Sequence, residues 1–205
     1  MPFKEKVIPL IDSLDETAAI IQSVNTIVNT DGHLKGFNTD FSAVRSLLLA
    51  NGLTPNHSVL VVGSGGMAKA VTAAVLNLGV TKCHVFSRNA KTGEAIAQQY
   101  GYVRSENGIS ADFVINATPI GMAGGLEESQ IPVSEDVIQS ANVVFDVIAV
   151  PAQTPLIKRA MDLGKLVILG TEVMTLQAVE QFTLYTGLTP DAELIQRAAE
   201  YSRSN

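Results

Sequence analysis

Val59-Leu60-Val61-Val62-Gly63-Ser64-Gly65-Gly66-Met67-Ala68-Lys69-Ala70-Val71 is the stretch whose reading decides the fold. Four apolar residues run straight into a glycine cluster, and a helix-forming run follows. This order predicts a buried parallel strand, a tight turn and the start of a helix. The spacing Gly63-x-Gly65-x-x-Ala68 has the G-x-G-x-x-G/A form of a dinucleotide fingerprint. Gly63 permits the sharp turn at the strand end. Gly65 lets the backbone approach a pyrophosphate with no Cβ in the way, and Ala68 lets the helix pack closely on the strand. The N–H groups of Ser64, Gly66 and Met67 complete the cradle, where the helix dipole favours negative charge. The competing reading is an ordinary strand–helix turn, but the fingerprint's required context is present on both sides.

Downstream the pattern becomes regular. Strands are expected at 82–87, 112–118, 142–148 and 165–169, with a short one near 102–103. Helices are expected at about 65–78, 90–99, 134–141, 155–163 and 172–186. A last helix is expected with Thr189 as its cap and Pro190 at its first position. Strand–helix alternation at these lengths predicts an α/β fold with a doubly wound parallel sheet. Upstream, residues 23–29 alternate as a strand, Asp31-Gly32 is a two-residue hairpin turn, and 33–37 is the return strand. Residues 13–22 hold a short helix at best, and 41–50 has helical spacing that stops at Asn51-Gly52.

Composition narrows the function classes. A net charge of −6 without a basic run argues against nucleic acid and anionic membrane as partners. No apolar stretch reaches the ~18 residues of a membrane helix, and the first residues lack a signal-peptide core. The single cysteine, Cys83, excludes an internal disulfide and falls in an expected strand, where it reads as a core thiol. A reducing, cytoplasmic setting fits, and a homodimer is compatible with the sequence. His33, His57 and His84 have no metal-ligand spacing, so no metal is expected. Met122, Met161 and Met174 read as packing residues.

At the end of the second strand an NAD-binding domain usually places Asp or Glu on the ribose 2′-hydroxyl. This chain has Ser87-Arg88-Asn89, with Lys91 close behind. A cation there suits a 2′-phosphate, which a carboxylate would repel. NADP is therefore favoured over NAD. The alternative is a solvated arginine at a strand end.

Phe3-Lys4-Glu5, Val24-Asn25-Thr26, Gly36-Phe37-Asn38-Thr39-Asp40, the Gly63 turn, Ser87-Arg88-Asn89, Asn116-Ala117-Thr118-Pro119-Ile120-Gly121-Met122, Thr154-Pro155 and Leu176-Gln177 occur in that order. Together they resemble shikimate dehydrogenase, and within it the shikimate dehydrogenase-like subgroup, along essentially the whole chain. The resemblance implies a substrate domain built from both chain ends, 1–42 and 172–205, around an NADP-binding Rossmann domain at 43–171. It implies hydride transfer between NADPH and 3-dehydroshikimate, giving shikimate. Lys4 and Asp40 would be the catalytic pair: an ammonium stabilises the developing alkoxide and a carboxylate holds it. Which of the two carries the proton stays open. Asn25 and Gln177 would bind the substrate hydroxyls, since amides both donate and accept. Thr118, Val147 and Gly170 would join the cofactor set. Read without the resemblance, Lys4 is an ordinary lysine near the chain start, and Asp40 is an N-cap for 41–50.

The sequence also departs from the family. Ala149 stands where a tyrosine is usual, and Gly170-Thr171-Glu172-Val173 replaces Gly-x-Gly-Met. The family carries a further segment ahead of Phe3-Lys4-Glu5, including serines that hold the substrate carboxylate. The chain is therefore expected to be truncated within the substrate domain, with Lys4 on a fraying end. Three functions fit: a shikimate dehydrogenase-like enzyme, a quinate- or aminoshikimate-type dehydrogenase, and a non-catalytic NADP-binding module.

Overall fold

The computed structural model describes residues 3–204, with side chains described for 3–201. The chain divides into two compact units, Met1–Ala43 with Val173–Asn205, and Val44–Glu172. The boundaries fall inside helices rather than in linkers.

The first unit opens with a helical turn, α1 (Phe3–Lys6), then β1 (Ser13–Leu14), α2 (Glu16–Ile21), β2 (Thr26–Thr30), β3 (His33–Phe37) and α3 (Thr39–Ala50). Asp15 caps α2 by accepting from Thr17 N at 2.7 Å. Asp31 (φ 51°) and Gly32 (φ 93°) both take the left-handed conformation of a type I′ hairpin turn. The hairpin's register runs from Thr26 opposite Phe37 to Thr30 opposite His33. β1, which the alternation does not announce, pairs parallel with β3 to give the order β1-β3-β2. The N-cap of α3 is Asn38, whose Oδ1 accepts from Phe41 N at 3.1 Å. Asp40 thus lies inside the first turn and is not the cap, so the bland reading of this carboxylate fails. Lys4 is also tied down, because Val24 N donates to its carbonyl at 2.8 Å. Fraying is not what this contact describes.

The second unit is a six-stranded parallel sheet of order β6-β5-β4-β7-β8-β9. Its elements are β4 (Ser58–Val62), α4 (Gly66–Asn77), β5 (Lys82–Phe86), α5 (Ala90–Gln99), β6 (Val103–Ser105), β7 (Phe113–Asn116), α6 (Glu135–Ser140), β8 (Val143–Asp146), α7 (Pro155–Asp162) and β9 (Leu166–Ile168). Taken in chain order, these strands follow the Rossmann sequence 3-2-1-4-5-6, whose direction of winding reverses between β4 and β7. Leu60, Val62, Val114 and Val144 face one core with Val137, Ile138, Leu156 and Ala160 of α6 and α7. The alternate residues Val59, Val61 and Ile115 are buried as well, which is why these strands read as unbroken apolar runs. Thr154 caps α7 by accepting from Ile157 N, with Pro155 at its first position.

The chain closes with α8 (Gly170–Thr186) and α9 (Ala192–Ser204). Asp191, not Thr189, caps α9, accepting from Leu194 N at 2.8 Å, and Pro190 lies outside the helix. The three methionines are not core residues: Met122, Met161 and Met174 are all more than 40% exposed. Cys83 is buried, and burial pushes its thiol up to about 12, far from a nucleophile's range. No helix among the described residues is long and apolar enough to cross a membrane.

Candidate functional site

In the second unit, Gly63 ends β4 at φ 124°, and its N–H donates to Phe86 O. A Cβ there would stand 2.9 Å from Ala117 O and 3.1 Å from Thr118 Cγ2. Gly63 is thus required twice, by its conformation and by the close approach of the β7 end across the point where the sheet reverses. Gly65 and Gly66 differ. Gly65 caps α4 in extended conformation (φ −92°) with no side-chain cap, and a Cβ on either residue meets no protein atom within 4 Å. Nothing in the protein's own packing calls for glycine at these two positions. They fit a diphosphate lying against the helix N-terminus. Ala68 is fully buried, as close packing of α4 requires.

The strand-end residues around the cradle are spoken for. Ser64 Oγ and Thr92 Oγ1 are 2.7 Å apart. Asn89 caps α5, accepting from Thr92 N, and Ser87 Oγ donates to Asn89 O. Gly93 leaves room for the Ser87 hydroxyl: a Cβ there would sit 2.1 Å from Ser87 Oγ, which would have to turn away from Asn89 O. Arg88 is exposed, and its fork donates to both Glu127 oxygens, at 2.6 and 2.9 Å. Lys91 makes no hydrogen bond or ion pair among the described residues.

Thr118 donates through N and Oγ1 to Asn116 Oδ1. Asn116 Nδ2 in turn donates to Asp146 Oδ1 at 3.1 Å. Asp146 is fully buried and also accepts from Ile148 N and Thr154 Oγ1. Burial pushes its carboxyl up to about 6, against the downward pull of those hydrogen bonds. Val147 and Gly170 meet next to this network. A Cβ on Gly170 would lie 2.2 Å from Ile148 C and O, so its glycine is a packing requirement.

In the first unit the acid–base candidates come together. Lys4 Nζ donates to Asp40 Oδ2 at 2.5 Å, with the lysine 28% and the aspartate 9% exposed. The other carboxylate oxygen, Oδ1, accepts from Gln177 Nε2. Gln177 therefore reaches the Asp40 carboxylate, a contact that its expected role on substrate hydroxyls does not include. Asn25 Oδ1 accepts from Thr26 Oγ1 (2.9 Å) and Thr39 N (3.0 Å), and its Nδ2 donates to Thr39 Oγ1. The sequence reading missed Gln181, whose Nε2 donates to Thr26 Oγ1 at 3.2 Å. Its signal was available: Gln181 lies four residues after Gln177, on the same helix face. It also missed Glu127, which carries no local signal because its partner is 39 residues away. Among the described residues no group of His, Cys, Asp and Glu side chains could hold a metal ion.

Comparison with known proteins completes the site's description. No family model matches the chain. The shikimate dehydrogenase-like protein of Haemophilus influenzae is 47% identical over 206 residues, covering all of this chain and 76% of that protein. The shikimate dehydrogenase (NADP(+)) of Alkaliphilus metalliredigens is 34% identical, over 96% of this chain and 74% of its own length. Among solved structures, shikimate 5-dehydrogenase of Thermus thermophilus in complex with NADP(H) and shikimate superposes with a TM-score of 0.86 at 28% identity, over 98% of this chain and 77% of that one. Quinate dehydrogenase of Corynebacterium glutamicum in complex with NAD gives 0.86 at 32%, over 100% and 76%. The chain thus spans about three quarters of the length of the relatives it matches. With identity of this level along its whole length, the chain belongs to the shikimate dehydrogenase family.

Proposed function

We propose that this protein is an NADP-dependent oxidoreductase that reduces 3-dehydroshikimate to shikimate. The observation that carries the reading is Asp40, with Lys4 on one carboxylate oxygen and Gln177 on the other. When bound, NADPH supplies the hydride that reaches the ring carbonyl carbon. Negative charge then develops on the carbonyl oxygen, and the Lys4 ammonium stabilises it and donates the proton that completes the alcohol. Asp40 keeps the ammonium in place from the first turn of α3. Gln177 holds the second carboxylate oxygen and keeps its own Oε1 as an acceptor for a substrate hydroxyl. Asn25, fixed by Thr26 and Thr39, presents its amide to the same polyol. In the second unit Gly63–Ala68 cradle the diphosphate, Ser87–Lys91 take the adenosine end, and Thr118, Val147 and Gly170 line the strand ends beside them.

A second reading is quinate oxidation. The likeness to a quinate dehydrogenase, at 32% identity, favours it. One assay separates the two. Purified protein is followed by formation of the reduced cofactor with shikimate or quinate as substrate, and with NADP or NAD as oxidant. A kcat/KM at least tenfold higher for shikimate is expected; a reversed preference would move the assignment to quinate. No turnover with either substrate, alongside normal cofactor binding, would leave only the binding module.

A further inference from the structure

The Arg88–Glu127 pair is not explained by the fold or by the reaction. The Nη1/Nη2 edge of a guanidinium meets two oxygens at once, and in this protein both oxygens on that edge belong to Glu127. A 2′-phosphate on that edge would have to displace the carboxylate, and one on the remaining Nε edge would still meet its negative charge across the guanidinium, so the two anions repel either way. On the reading that this chain takes NADP, we propose that Glu127 is a specificity-determining residue for the cofactor. Its carboxylate competes with the 2′-phosphate for Arg88, so the preference for phosphorylated cofactor is set by the pair and not by Arg88 alone.

The local structure suits an exchange of one anion for another. Arg88 follows the end of β5, while Glu127 lies in the loop after β7. That loop is held by its own backbone. Gly121 N and Gln130 N both donate to the Glu127 carbonyl, and Gly124 N donates to Glu128 Oε2. The Glu127 side chain can therefore swing away without the loop refolding. Arg88 is 70% and Glu127 26% exposed, so water reaches the pair from the guanidinium side, screens it and lets the contact exchange. The carboxylate taxes the phosphorylated cofactor by a modest factor and does not exclude it. NADH brings no 2′-phosphate to compete for Arg88, and Glu127 leaves its affinity nearly unchanged. Lys91, which has no ion-pair partner among the described residues, remains for the phosphate in either case.

The test is calorimetric titration with NADPH and NADH of the wild type, Glu127→Gln, Arg88→Ala and the double variant, at low salt. Glu127→Gln is expected to tighten NADPH by about three- to tenfold, from the lost ion pair and the lost repulsion. NADH should stay within about twofold. In the Arg88→Ala background the same substitution should no longer tighten NADPH, because nothing is left to release. Glu127→Ala should act in the same direction as Glu127→Gln. NADPH affinity that is unchanged or weaker in both Glu127 variants, with normal wild-type binding, overturns the proposal alone. Absence of any cofactor binding by the wild type overturns the NADP reading, and the proposal with it.

Discussion

Asp40 spends its two oxygens on two partners, Lys4 and Gln177, so the three side chains act as one unit. Lys4→Ala and Asp40→Ala are each expected to lower kcat by on the order of 10²–10⁴-fold while leaving NADPH affinity nearly intact. The double variant should be little worse than the worse single, since removing either already disables the unit. Lys4→Arg should not rescue, because a planar fork cannot take the place of a compact ammonium. Steady-state kinetics with a parallel cofactor titration checks all three; near-normal kcat in both single variants would falsify the assignment. Asp146 makes a different kind of prediction. Its folded carboxyl lies at about 6, above the ordinary 3.8, because burial disfavours the charge. A raised value means that the native state holds the proton more tightly than the unfolded chain. The stabilisation is therefore complete below about pH 4 and is lost as pH rises through about 6, by on the order of 3 kcal/mol. Asp146→Asn removes this titration. The wild-type stability relative to the variant should fall by that amount between about pH 4 and pH 7, read by urea unfolding. A pH-independent difference would show that the carboxyl titrates normally.

Among the elements, two glycines that look alike in the sequence do opposite jobs. Gly170 begins α8 against the Ile148 backbone, so Gly170→Ala forces a Cβ into atoms that cannot move aside. The expected cost is ~1–3 kcal/mol or more, seen as a lower Tm. Gly65 has open space where its Cβ would be and an ordinary φ, so Gly65→Ala should leave Tm within about 1–2 °C. It should instead weaken NADPH by intruding on the diphosphate. Unchanged NADPH affinity in Gly65→Ala would remove the cradle from the cofactor site. The sequence distinguishes these roles only in part. The β4–Gly63–α4 unit was legible because strand, turn and helix signals coincide within thirteen residues, and Asp31-Gly32 because its turn chemistry is local. β1 was not legible: a two-residue strand has no periodicity, and only its parallel pairing with β3 defines it. The caps slipped for a related reason. Asn38 and Asp40 are both good capping residues, and backbone geometry decides between them; Thr189 and Asp191 pose the same choice. Among site residues, the Lys4–Asp40 contact spans 36 positions and Gln177–Asp40 spans 137. No local pattern reports such distances, and only the family resemblance pointed to these three residues.

At the level of the whole molecule, the glycine turn Gly63–Ala68 and the Lys4–Asp40–Gln177 group lie in different compact units, Val44–Glu172 for the first and Met1–Ala43 with Val173–Asn205 for the second. The return of α8 and α9 to the first unit is invisible to periodicity, because a helix's own sequence does not say what it joins. This division makes the two ligands separable in experiment. A ligand that binds only the folded state stabilises by about 2.7 kcal/mol at a hundredfold excess over Kd. For a chain of this size that corresponds to a Tm increase of roughly 5–10 °C. NADPH at that excess should produce such a shift, and Arg88→Ala at the same concentration should show a smaller one. Hydrogen exchange then locates the effect. NADPH should slow exchange in the segments around Gly63–Ala68, Ser87–Lys91 and Thr118, whereas shikimate should slow it around Lys4, Asn25, Asp40 and Gln177. Ligand protection tracks local opening, so each footprint reports the unit whose opening the ligand opposes. The decisive comparison is the footprint of one ligand alone against the other alone. If NADPH alone protects the Lys4–Asp40–Gln177 group and leaves the Gly63 turn exchanging as before, then the cofactor and substrate roles of the two units have been assigned the wrong way round.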